Sequence, residues 1–231
     1  TELLDSLRME KQQFKTLKRL MCHIQIFGKN YPKSKRPKSV QDNQQKIIVI
    51  SGPSGVGKDA VISRMSHQFS NFHFTVTATT RQKRENEINL KDYIFLSKDQ
   101  FQNMLVNDEF LEHAEVYGNY YGVPKKQVYE GIKNGKNVLI KIDVQGAKTI
   151  KDNEKDAVFI FLAPPNLQEL EKRLKDRMTE TPEALKKRIQ TAEYELQESN
   201  WFDYVIINHT DKLDETITQI NEIIQGVTNQ P

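Results

Sequence analysis

A lone cysteine, Cys22, in 231 residues excludes an internal disulfide framework and a cysteine-based zinc cluster, and suits a reducing compartment. No apolar run approaches the roughly 18 residues that a membrane-spanning helix needs. A strongly basic body, the footprint of a nucleic-acid binder, is missing too. The formal net charge is +3, but residues 1–46 carry 11 Lys/Arg against 4 Asp/Glu, and the remaining 185 carry 23 against 27. The body is therefore mildly acidic, and small phosphorylated ligands suit it better than nucleic acid.

What is present is a globular composition, 37% hydrophobic and 28% charged, long enough for one α/β domain with insertions. Residues 1–45 read as a basic extension. Phe14, Leu17, Met21 and Ile24 recur at helical spacing among Lys11, Lys15, Lys18 and Arg19, and "NYPKSKRPKSVQDNQQK" then has a linker composition. From residue 46 to 231 strands alternate with helices, which predicts a largely parallel sheet covered by helices. "KIIVIS" suits a buried central strand, and "NVLIKID", "VFIFLA" and "YVIIN" suit its neighbours. Asn166 with Glu169 predicts a capping box, and Thr181 with Pro182 predicts another helix start. Between 73 and 124, "HFTVTATT", "DYIFLS" and "EFLEHAEVYGNYYG" predict a small mixed sheet, interrupted by a helix that Ser97 and Gln100 can cap.

"GPSGVGKDAV" follows the first strand directly and opens a helix. Gly52, Pro53, Ser54, Gly55, Val56, Gly57 and Lys58 have the composition of a loop that cradles a polyphosphate, because successive backbone N–H groups and a helix N-terminus can converge there. Lys58 would face the β- and γ-phosphates. The pattern asks next for a hydroxyl to hold magnesium, and this chain has Asp59.

Together with this loop, "TATTRQKRENEINLKDYIFLS", "DEFLEHAEVYGNYYG", "IDVQGAKTI", "FIFLAPP" and "RLKDRMTETPEALKKR" resemble guanylate kinase over residues 46–225. The resemblance implies a P-loop nucleoside monophosphate kinase: a parallel-sheet α/β core, an inserted α+β GMP-binding subdomain at about 78–128, and a helical lid at about 175–192. It implies transfer of a phosphoryl group from ATP to GMP, and to dGMP, with Mg²⁺; the sequence leaves the oligomeric state open, with a monomer favoured. Arg81, Arg84, Tyr93 and Tyr121 would surround the GMP phosphate with Glu87 beside them, and a guanidinium fork suits a phosphate. Glu112 would accept from guanine N1 and N2, with Thr77 and Asp143 supporting the base. Asn208 would lie on the adenine side. Arg177 and Arg188 would be lid arginines that stabilise the transferring charge, whereas Arg173 suits an i,i+4 pair with Glu169.

Three positions depart from the family pattern: Asp59 replaces a hydroxyl, Lys141 replaces an acid, and Val123 replaces a Ser or Thr that helps to bind guanine. The first two read as one change, an Asp59–Lys141 ion pair at the metal site, with Asp59 supplying Mg²⁺ a carboxylate oxygen. The same departures resemble the organellar enzymes of plants. They imply a plastid or mitochondrial location, with an arm that surrounds a targeting segment, and the cytoplasm as the alternative. Two other functions stay open. A non-catalytic interaction module of this fold would lack parts of the loop or the arginines that this chain keeps. A kinase for another nucleoside monophosphate would not need Glu112.

Overall fold

The computed structural model describes residues 45–176 and 182–228. The expected amino-terminal helix and its linker, Arg177 and Thr181 lie outside the described residues.

Ile47–Ser51 (β1) is β-branched and apolar, and it runs through the middle of a five-stranded sheet. Its neighbours are Asn137–Lys141 (β7) on one side and Val158–Ala163 (β8) on the other, both parallel to it. Phe72–Phe74 (β2) and Tyr204–Ile207 (β9) complete the sheet in the order β2-β7-β1-β8-β9, also in parallel. Parallel neighbours need crossovers, and these supply the helices that cover the faces. Ile48 and Ile50 of β1 join one core cluster with Val61 and Met65 of Lys58–Gln68 (α1) and with Ile217, Ile220 and Ile224 of Leu213–Thr228 (α7). Val49, pointing the opposite way, joins the other cluster. There it packs with Val128 of Lys125–Lys133 (α3), with Val144, Ala147 and Ile150 of Val144–Asn153 (α4), and with Leu196 of Pro182–Gln197 (α6).

A second sheet has four strands. Ala78–Thr79 (β3) pairs in parallel with Ile94–Phe95 (β4) and antiparallel with Asn119–Pro124 (β6), which forms a hairpin with Phe110–Val116 (β5). Tyr117 and Gly118 make the hairpin turn, both at positive φ (52° and 76°), as a two-residue turn matched to strand twist requires. Lys98–Val106 (α2) begins with the expected Ser97–Gln100 capping box. It packs Phe101 against Phe110, stacked at 4.4 Å, in a small cluster separate from the two main ones.

The structure corrects two expectations. "HFTVTATT" is not one strand of the small sheet. His73 and Phe74 pair with Val138 and Leu139 of the main sheet, and the chain crosses to the small sheet after Val76. The side chain of Gln127 stands in for a strand at that crossing, accepting from Val76 N–H (2.7 Å) and donating to Val76 C=O (2.9 Å). At the start of Leu167–Lys175 (α5), Asn166 caps Glu169 N–H as expected (2.8 Å), but the Glu169 carboxylate turns to Arg173 and Thr210 instead of closing the box.

The small cluster is the main apolar support of its sheet, so Phe101→Ala should cost about 3–5 kcal/mol of local stability. Hydrogen exchange of β5 and β6 amides would show this as a loss of protection that spares β1 and β8.

Candidate functional site

The phosphate loop leaves β1 at Gly52, whose φ of +144° and 2.2 Å approach of an added Cβ to the Leu162 carbonyl leave room for glycine alone. Val56 is fully buried and ties the loop down. Its carbonyl accepts from the Asn208 side-chain amide (2.8 Å) and from Arg173 (3.1 Å). α1 then starts at Lys58, so its first backbone N–H groups are left without intrahelical partners. Lys58 folds back and donates to the carbonyls of Gly52 (2.5 Å) and Pro53 (3.1 Å). Burial pulls its pKa below the ordinary lysine value, against the opposing pull of Glu195, Asp59 and Asp143.

The cleft beside this loop is lined by Ser54 to Asp59, by Arg81, Arg84, Tyr93 and Tyr121 from the small sheet and its approaches, and by Arg188 and Glu195 from α6. Thr77, Glu112, Lys141 and Asp143 complete it. The structure thus brings most of the expected residues into one cavity. Four expected ones, Gly52, Pro53, Asn208 and Glu87, lie behind the lining, as does the departing Val123. Gly52 and Pro53 shape the loop from below. Asn208 is buried beneath it, with its side-chain oxygen accepting from Thr216 (2.9 Å). Glu87 stands behind the arginines. Val123 is fully buried in the main core cluster.

The arginines, Lys141 and Asp59 of the cleft are each held by a partner. Glu87 takes both nitrogens of the Arg81 fork (2.7 and 3.0 Å) and the backbone N–H of Arg84 (2.8 Å). Burial opposes charge on both partners, but the mutual bonds outweigh it, so the Arg81 pKa is raised and that of Glu87 lowered. Arg81 also lies over the Tyr93 ring (5.3 Å), and Tyr93 meets Tyr121 edge to face at 6.3 Å. Lys141 donates to Asp59 (2.6 Å), the ion pair that the two departures imply. Arg173 pairs with Glu169 (2.5 Å), as its spacing predicts. Arg188 lies over the Tyr117 ring (5.2 Å).

Two carboxyls differ from these. Glu112 is 3% exposed, and its Oε2 is buried with no hydrogen-bond partner. Burial, with Asp143 adding to it, pushes its pKa up to about 8. Gly146 makes the space, since an added Cβ would stand 2.5 Å from Glu112 Oε2. Asp143 caps the same turn by accepting from Gly146 N–H (2.9 Å). Thr77 holds the end of β7 by donating to the Lys141 carbonyl (3.2 Å).

Glu195 is the residue that the motif reading missed. It faces Lys58 with its Oε2 buried and without a hydrogen-bond partner, and burial pushes its pKa up to about 7, against the pull of Lys58 and the Ser54 backbone and with Asp143 adding. The signal was periodicity. Glu195 lies three residues after Ala192 and four before Ser199, both buried, so an acid occupies the inward face of α6.

A parallel sheet whose first strand feeds a glycine loop and a helix, facing an inserted sheet that bears paired arginines, defines a P-loop nucleoside monophosphate kinase. The comparisons with known proteins agree. The guanylate kinase family model matches residues 44–227. A guanylate kinase of Clostridium acetobutylicum is 46% identical over 77% of this chain and 84% of its own. "Guanylate kinase 2, chloroplastic/mitochondrial" of Oryza sativa subsp. japonica is 44% identical over 79% of this chain and 65% of its own. The crystal structure of guanylate kinase from Anaplasma phagocytophilum superposes with a TM-score of 0.67 at 30% identity, covering 80% of this chain and 87% of that one. The chain belongs to the guanylate kinase family.

Among the described residues no helix is long and apolar enough to cross a membrane. No cluster of three or more His, Cys, Asp or Glu there could hold a metal unaided.

Because Glu195 keeps its proton to about pH 7 in the folded protein, against an ordinary value of 4.5, the native state binds that proton more tightly than the unfolded chain between these values. Its contribution to stability therefore falls as pH rises through this window. Glu195→Gln should remove that slope. Urea unfolding at pH 5 and pH 7.5 should show the variant gaining about 1–3 kcal/mol on the wild type between the two.

Proposed function

We propose that this chain phosphorylates GMP to GDP with ATP and Mg²⁺, and that the cleft residues divide the work as follows. The ATP polyphosphate takes the loop, where backbone N–H groups and the start of α1 attract anions. Lys58 leaves the carbonyls of Gly52 and Pro53 for the phosphates. The GMP phosphate takes Arg81 and Arg84 with Tyr93 and Tyr121, and Glu87 keeps the Arg81 fork oriented. A GMP phosphate oxygen then attacks the γ-phosphorus, the bond to the β-phosphate oxygen breaks, and ADP leaves with the electron pair. Arg188, joined by Arg177 from the segment before α6, offsets the charge spread over the transferring group.

Magnesium suits a site with one loop carboxylate, because it is commonly held by one or two carboxylates and the substrate phosphates. Asp59 is that carboxylate, its side chain 55% exposed in the first turn of α1. When bound, the ion supplies charge neutralisation between the phosphates. Lys141 balances Asp59 in its absence.

One observation carries the choice of base. Glu112 is a buried acceptor with an unpartnered oxygen, facing the cleft. Guanine N1–H and N2–H can satisfy it, whereas adenine offers an acceptor at N1 and leaves it unpaired, at a cost of about 1–3 kcal/mol. Thr77 and Asp143 hold the strand end and the helix turn around it. Asn208 acts on the adenine side through the loop it braces.

The intact loop and arginine pair favour the enzyme over a binding module. Residence in a plastid or mitochondrion is supported by the rice relative's name. Similarly matched bacterial relatives keep the cytoplasm as the alternative.

In a coupled assay with GMP, dGMP, AMP, UMP and CMP, turnover should be confined to the two guanine nucleotides, and comparable turnover of AMP would overturn the assignment. Guanine binds the ionised form of Glu112, whose pKa is about 8 in the free protein, so binding must expel its proton below that pH. The Kd for GMP should fall as pH rises from 6 to 8 and then level off. Calorimetry in two buffers of different ionisation heat should register the released proton at pH 7, and Glu112→Gln should lose both effects along with most of the affinity.

A further inference from the structure

Lys141 ends β7 with its backbone fixed on two sides. Its carbonyl accepts from Thr77 (3.2 Å), and the next residue, Ile142, donates to Ile50 of β1 (3.3 Å). Only 11% of its side chain is exposed, so its ammonium needs partners where it stands. It has two, on opposite walls of the cleft. One is the Asp59 carboxylate on the phosphate loop's helix at 2.6 Å. The other is the face of Tyr93 at 4.3 Å, within the range of a cation–π contact. Tyr93 in turn meets Tyr121 edge to face and lies under Arg81.

A buried cation that loses its carboxylate becomes a strong attractor for another anion, since truncating or withdrawing one partner leaves the other charge uncompensated. Asp59 is the exposed half of the pair, with 55% of its side chain open to solvent and within reach of a metal ion arriving with ATP. The tyrosine face neutralises no charge. Once Asp59 turns to the metal, the position beside Tyr93 needs a second anion, and the phosphate gathered by Arg81 and Tyr93 is the one at hand.

We infer that Lys141 couples the two substrate sites, exchanging Asp59 for the GMP phosphate beside Tyr93 when magnesium and the nucleotide polyphosphate occupy the loop. Each substrate then strengthens the other, because a coupling free energy between two sites is reciprocal. The inference rests on the proposed substrates and adds the order in which one lysine serves them.

The test is calorimetric, on the whole chain, with the unreactive pair GMP and Mg·ADP. In the wild type, saturating Mg·ADP should tighten GMP binding about fivefold or more, the lower range of measured couplings, and ADP with excess EDTA should not. Lys141→Met should reduce the ratio to about one. Asp59→Asn is the sharper variant. It releases Lys141 permanently, so GMP should bind more tightly than to wild type without any nucleotide and gain nothing further from Mg·ADP. A merely structural ion pair would instead give weaker or unchanged GMP binding in that variant. Either of those results, or a wild-type coupling ratio kept by Lys141→Met, would overturn the inference. Lys141→Arg, which keeps the charge, should restore part of the ratio and guards against a folding defect in the methionine variant. If GMP fails to bind the wild type at all, the substrate assignment fails. If it binds normally with these ratios unaltered by the variants, only the coupling does.

Discussion

A loop that turns its N–H groups outward to hold an anion must turn carbonyls inward, and those carbonyls need donors inside the protein. At Val56 the donors come from two distant parts of the chain, Asn208 at the end of β9 and Arg173 on α5. The arginine also spans the Asn208 carbonyl and Glu169. The first and last strands of the domain, and α5, thus meet under one peptide group. The orientation of the phosphate loop, and with it the direction in which Lys58 and Asp59 leave α1, follows from that meeting.

Above the loop, the cleft solves a different problem, which is how to keep many ionisable groups in little water. Arg81 and Glu87 neutralise each other through parallel hydrogen bonds, as do Lys141 and Asp59 through one short bond. Glu112 and Glu195 follow another route. Both are too buried to ionise readily and keep their protons toward or past neutrality, the expected response of a carboxyl to desolvation. With those two carboxyls protonated, Lys58, Arg81, Arg84, Lys141 and Arg188 outnumber Asp59, Glu87 and Asp143, so the resting site keeps a positive excess that suits anionic ligands.

Much of this was legible in the sequence because it is local. The glycine loop between an apolar strand and a helix start, the Ser97–Gln100 box and the Asn166 cap are each written within a few residues. The Asp59–Lys141 pair could be read across 82 positions, because two departures from a family pattern had opposite charge. What was not legible depends on packing between distant segments. The break at Val76 exists because Gln127 reaches it from α3, and nothing near residue 76 records that. Val123 looked like a binding position, yet its strand end dips into the main core. Asn208 read as a nucleotide contact because its neighbour across space, Val56, is 152 positions away. Glu195 passed as one acid among many on a charged helix, since its inward face shows only once α6 is docked.

The folded-back Lys58 carries a consequence for the interval between turnovers. With product gone and no new nucleotide present, a loop of this kind would hold a buried ammonium and two bare carbonyls in close quarters. Here they satisfy one another, so the empty loop is a finished structure in its own right. An incoming polyphosphate trades places with two carbonyls for the attention of one lysine. Capture and release are then substitutions among prepared partners, and the domain need not remake its most exacting turn each time it empties.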